Sequence, residues 1–163
     1  MRFLKNVFSQ LHSFVLWALL SAIFVGWIFT FVTDTSPEKK VEIYCYVPEL
    51  RDTDLAVELE RDMPEGLRMI RVHTFTYVMM NVDLVENGDI YILPESVIGE
   101  YEELLADRDA GVKVYDAAAG KGAASQYIGY EEEDYYLFIG ANSPHLEDGK
   151  AQAVAEALMG ISE

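Results

Sequence analysis

Positions 13–33 carry no charge, and their apolar residues follow one another without a polar face. A helix of that length covers about 30 Å, the thickness of a bilayer core. The pattern then changes. Positions 41–47 are β-branched and aromatic and stop at Pro48, which predicts a strand. Positions 52–63 place Leu55, Ala56, Val57, Leu59 and Met63 among charges, a helical spacing that Asp52 or Thr53 can cap. Pro64-Glu65-Gly66 predicts a turn. Positions 67–75 read as a second strand, and 76–85 as a helix ended by Asn87-Gly88. A short buried strand follows at 89–93.

Pro94 at a first helical position predicts a helix to about Ala106. Strands are expected at 111–115, 125–130 and 134–139, with Glu131-Glu132-Glu133 as a hairpin tip between the last two. A final helix is expected at 148–159. The alternation predicts an α/β fold: an N-terminal transmembrane helix, then a single three-layer α/β lobe with a mostly parallel sheet. The domain map is a short tail at 1–12, the helix at 13–33, a linker at 34–40 and the lobe at 41–163.

Charge sharpens this division. The chain has 163 residues, 12 Lys+Arg and 28 Asp+Glu, for a net charge of −16. Every acid lies at or after Asp34, whereas Arg2 and Lys5 precede the helix. So acidic a lobe is poorly suited to nucleic acid, where binding depends on neutralising phosphates with Lys and Arg. It also disfavours docking on an anionic lipid surface. Cys45 is the only cysteine, which excludes an intrachain disulfide and a cysteine-based zinc site. It lies in an apolar alternating run, the place of a buried structural thiol. The apolar run is longer than a secretory h-region and ends without a small-x-small site, so it reads as an uncleaved anchor.

Three segments carry a resemblance. They are Tyr46-Val47-Pro48 closing the first strand, 89–96 (D-I-Y-I-L-P-E-S), and 135–146 (Y-Y-L-F-I-G-A-N-S-P-H-L). Together they resemble one lobe of the extracellular solute-binding proteins of bacterial ABC transporters. The resemblance implies a non-enzymatic binding module at the cell membrane, single-pass, with its acidic domain outside the cell. Those proteins hold ligand between two lobes. Here about 20 residues separate the strands near Tyr115 and Tyr135, too few for a second lobe.

In open α/β sheets, ligands sit beyond the carboxyl ends of the strands. That rule selects Tyr46, Glu49, Thr76, Ser96, Asn142 and His145 as candidate ligand-binding residues. Each has a plainer reading: caps for Thr76 and Ser96, a turn for Asn142, core for Tyr46, solvated charge for Glu49 and His145. No catalytic residue, metal site or cofactor is expected. The expected partners are a lipid bilayer, through the stretch between Phe14 and Val32, and a membrane protein or a small solute. A scaffold subunit packing through Ser21 and Gly26 is the first alternative. A hydrolase built on Ser96 and His145 is the second, weakened because no G-x-S-x-G elbow is present.

Overall fold

A computed structural model gives the structure of the protein over residues 2–33, 35–75 and 85–161. The chain divides into two units, Met1–Thr35 and Ser36–Glu163. The first is the helix α1 (Arg2–Thr33), whose side chains are described over 13–28 and are exposed throughout. The expected transmembrane helix is not supported. Among the described residues, no helix is long and apolar enough to cross a membrane. A crossing takes about 20 consecutive apolar residues.

The second unit is built on strands β1 (Lys40–Cys45), β2 (Glu49–Leu50), β3 (Met69–Thr74), β4 (Ile90–Pro94), β5 (Val112–Asp116), β6 (Lys121–Gly122), β7 (Ile128–Gly129) and β8 (Tyr135–Ile139). Two helices join them, α2 (Asp52–Leu59) and α3 (Lys150–Gly160). Six strands form one sheet in the order β3-β1-β4-β8-β5-β6, and β2 and β7 form a separate pair.

The sheet is mixed, which corrects the expectation of a mostly parallel one. β1 runs parallel to β3 and β4, but β8 is antiparallel to both β4 and β5. The cause lies in the connection. A parallel partner needs a crossover that returns the chain to the far end of the sheet. Between β5 and β8 the chain forms only β6, β7 and turns, and it re-enters with Tyr135 opposite Tyr115, at the end where it left. The acidic tip at 131–133 therefore does not close a hairpin: β7 pairs with β2, and β8 inserts between β4 and β5.

The helix expected after Pro94 forms instead as 3-10 turns, Glu95–Glu100 and Glu102–Leu104. The helix expected at 76–85 falls on residues outside those described, apart from Val85. Elsewhere the predicted strands and helices stand within a few residues of their expected bounds.

Strand alternation sorts the core. Val41, Ile43 and Cys45 of β1, with Ile90 and Ile92 of β4 and Leu137 of β8, face α2 and α3 and are fully or almost fully buried. Tyr44, Tyr91, Leu93 and Phe138 point to the opposite face and form a second cluster with Phe75 and Leu105. Burial pushes the Cys45 thiol up to about 12, so this lone thiol is an inert core group.

Candidate functional site

The antiparallel course of β8 divides the six residues that sequence placed together. Pro94 pairs with Tyr135 and Ile90 with Ile139, so the end of β8 lies at the beginning of β4. Tyr46, Glu49 and Ser96 follow the carboxyl ends of β1 and β4. Asn142 and His145 follow β8 and lie at the opposite end of the sheet. Thr76 lies outside the described residues. Ser96 and His145 are thus not brought together, and the pair on which a hydrolase was weighed does not form.

The end holding His145 is a closed polar network. Asp89 is buried, and its two carboxylate oxygens accept from the Ser143 hydroxyl and from the Glu42 backbone N–H, the latter at 2.8 Å. The Ser143 hydroxyl oxygen accepts from the His145 backbone N–H at 3.0 Å. The His145 ring is fully buried. Its Nε2 lies 3.0 Å from the Lys40 carbonyl oxygen and 3.2 Å from that of Pro37, and its Nδ1 lies 3.1 Å from Asp148. A serine, an aspartate and a histidine meet here, but the imidazole does not touch the serine hydroxyl. The arrangement cannot relay a proton from Ser143 as a catalytic triad does.

Glu42 is committed as well. Lys40 Nζ is 2.8 Å from one of its oxygens, and the Tyr44 hydroxyl donates to the other at 2.9 Å, with His73 Nε2 at a looser 3.5 Å. Contacts from His73, Lys40 and Tyr44 outweigh burial and hold its carboxyl down at about 2. Burial dominates at Asp89 and raises its carboxyl instead. A cavity of about 330 Å³ opens beside Glu42, Asp89 and Asn142, but both carboxylates already have partners. Asn142 donates to the Glu86 carbonyl at 3.1 Å. We read this end as a latch that ties the start of β1 to the segment after β8.

The opposite end is different. Past β1 the chain turns at Pro48 into β2, where Glu49 pairs with Gly129 and Leu50 with Ile128. The Arg51 backbone N–H donates to the Tyr127 carbonyl at 2.8 Å and extends this clasp. A side chain at position 129 would press on Glu49, so glycine lets the two strands approach. The clasp and the last residue of β3, Thr74, enclose an open cleft of about 540 Å³. Glu49, Arg51, Thr74, Ser125, Gln126 and Tyr127 line it. Arg51 forms an exposed ion pair with Asp54 at 2.6 Å, and its guanidinium lies 6.0 Å from the Tyr127 ring centre. The side chains of Glu49, Thr74 and Gln126 make no hydrogen bond or ion pair among the described residues.

Glu49 is therefore the one expected residue that lines this cleft with its side chain uncommitted, beside Thr74 and Gln126, whereas Ser125 donates to the Gly122 carbonyl at 2.7 Å and Tyr127 to Glu58 at 3.4 Å. Tyr46 is 38% exposed but packs its ring against Phe75 and Tyr101, an aromatic contact of the second core cluster. Ser96 is exposed, and its backbone N–H donates to Glu133 at 3.2 Å. Sequence reasoning missed Arg51, Thr74, Gln126 and Tyr127 because the clasp joins positions about 80 residues apart. It also missed Asp89 as a network centre, although a lone acid opening an apolar strand was a usable signal. Among the described residues, no group of three or more His, Cys, Asp and Glu is arranged to hold a metal ion.

No family model matches the chain, and no curated protein or solved structure matches it either.

Proposed function

We propose that the protein is a non-enzymatic binding module, held at a lipid bilayer through its apolar helix, that takes a small polar solute in the cleft between the β2–β7 clasp and the end of β3. One observation carries the reading: Glu49, Thr74 and Gln126 line a single open cleft with their polar atoms uncommitted. Position supports it, because the cleft lies beyond the carboxyl ends of β1 and β3, where ligands of α/β sheets bind. Chemistry supports it too. Glu49 offers an acceptor, Thr74 and Gln126 uncharged donors and acceptors, and Tyr127 a flat apolar wall, a mixture suited to orienting a polar ligand. The resemblance to one lobe of a solute-binding protein points the same way. Attachment to a membrane rests on the exposed apolar side chains of 13–28, among them Phe14, Leu16, Trp17, Phe24 and Trp27. The reading does not require that helix to cross.

The test is thermal melting of the full chain in detergent micelles against sugars, amino acids, short peptides and divalent ions. A ligand that binds only the folded state raises the melting temperature by mass action. The reading expects one compound class to do so, and expects Glu49→Gln and Thr74→Val to abolish the shift. A flat response across the panel, or a shift that survives both substitutions, overturns it. Flotation with neutral phosphatidylcholine vesicles tests attachment: the chain is expected at the top of the gradient, and recovery at the bottom overturns that part.

A further inference from the structure

Helix coverage leaves a gap on the face that packs against α2 and α3. Strands lie about 4.8 Å apart and a helix is about 10 Å across, so one helix covers roughly two strands. The sheet has six strands, and among the described residues this face carries two helices, α2 and α3. Part of the remainder is filled by Ala124 and Ile128. The rest is a groove of about 400 Å³ beside α3, above β8 and the first residues of β5. Its floor is apolar: Val112 is 49% exposed and Leu146 38% exposed, with Leu137 and Ile139 also lining it. Its charged lining residues are Asp107 and Glu156, both acids. The nearest bases do not offset them, because Arg108 is paired with Glu102 and Lys113 with Asp134.

We infer that this groove docks a basic amphipathic helix supplied by another protein. The groove runs beside an existing helix, its floor asks for an apolar stripe, and its rim asks for Lys or Arg beside it. A second copy of this chain is a poor occupant, because each copy carries a net charge of −16 and two such surfaces repel. The groove shares no lining residue with the solute cleft, and the inference stands apart from it.

The probe is a fluorescent Leu/Lys peptide of about 15 residues, patterned to form one apolar helical face. Its anisotropy is followed on adding the full chain in micelles. A peptide of the same composition with scrambled order, and one with Glu in place of Lys, serve as comparisons. Saturable binding of the patterned Lys peptide is expected, with each comparison weaker by roughly tenfold or more. Gln152→Trp fills the groove from an exposed position on α3, and Glu156→Lys reverses the rim. Each is expected to weaken binding by roughly tenfold, while Glu132→Lys, with the same charge change but ahead of the opposite end of β8, stays within about twofold. All variants share the same micelles, so peptide bound to detergent cancels in the comparison. Equal binding of the scrambled peptide, undiminished binding by Gln152→Trp, or an equal loss from Glu132→Lys overturns the inference.

Discussion

The two ends of the sheet use the same kinds of side chain for opposite purposes. At the start of β1 and β4, the carboxylates of Glu42 and Asp89 and the His145 ring are spent on fixed partners. At the far end, Glu49, Thr74 and Gln126 surround an open cleft with their polar atoms unspent. Buried polar groups must be satisfied internally, and once satisfied they fix one arrangement. Polar groups facing a water-filled cleft bear no such demand and can exchange water for a ligand. The lesson is that burial and hydrogen-bond partners, rather than residue type, tell a structural carboxylate from a candidate binding one.

That contrast predicts how substitutions divide. Asp89→Ala has the largest expected effect. It leaves the Ser143 hydroxyl and the Glu42 N–H without their acceptor at a buried position, at a cost of about 3–4 kcal/mol by urea denaturation. A loss below about 1 kcal/mol would mean that the latch does not hold this end. Gly140→Ala comes next. A Cβ there would run into the Gly88 carbonyl and the Tyr91 ring, and the expected loss is about 3 kcal/mol. If it costs nothing measurable, the close approach of the segments before β4 and after β8 is not a constraint.

Glu42→Gln is expected to cost about 2 kcal/mol at neutral pH and to change the acid limb. The folded carboxyl sits at about 2 against an ordinary 4.5, so its stabilisation is full above about 4.5 and is lost as pH falls toward 2. Asp89 acts with the opposite sign. Its raised carboxyl binds a proton more readily when folded, so its contribution weakens as pH rises through the folded value. Melting followed between pH 2 and 5 should therefore flatten in Glu42→Gln. An unchanged acid slope would remove Glu42 from the latch. The smallest stability effect belongs to Glu49→Gln, within about 0.5 kcal/mol because the side chain is exposed and unpartnered. A loss of 2 kcal/mol or more there would make the cleft a structural feature like the latch.

Much of the fold was legible because periodicity reports burial directly. The alternation in 41–47 and 134–139 and the helical spacing of 148–159 follow from which side chains meet the core. The direction of β8 was not legible, since period two is the same for parallel and antiparallel strands. That single ambiguity moved His145 and Asn142 to the wrong end of the sheet. The helix after Pro94 failed for a related reason: Val97, Ile98, Tyr101 and Leu104 satisfy a helical period, yet they are met by 3-10 turns broken at Tyr101. Glu49 was found by the carboxyl-end rule alone. Its neighbours in the cleft depend on pairing between Glu49 and Gly129, a contact that no local pattern encodes.

The most direct test measures ligand-dependent melting of the full chain side by side with Glu49→Gln and Glu42→Gln, using whichever compound class stabilises the wild type. The account predicts that Glu49→Gln keeps its stability and loses the ligand shift, while Glu42→Gln melts lower and keeps the shift. The reverse result, with the shift retained in Glu49→Gln and lost in Glu42→Gln, would place the binding site at the latch and contradict the account.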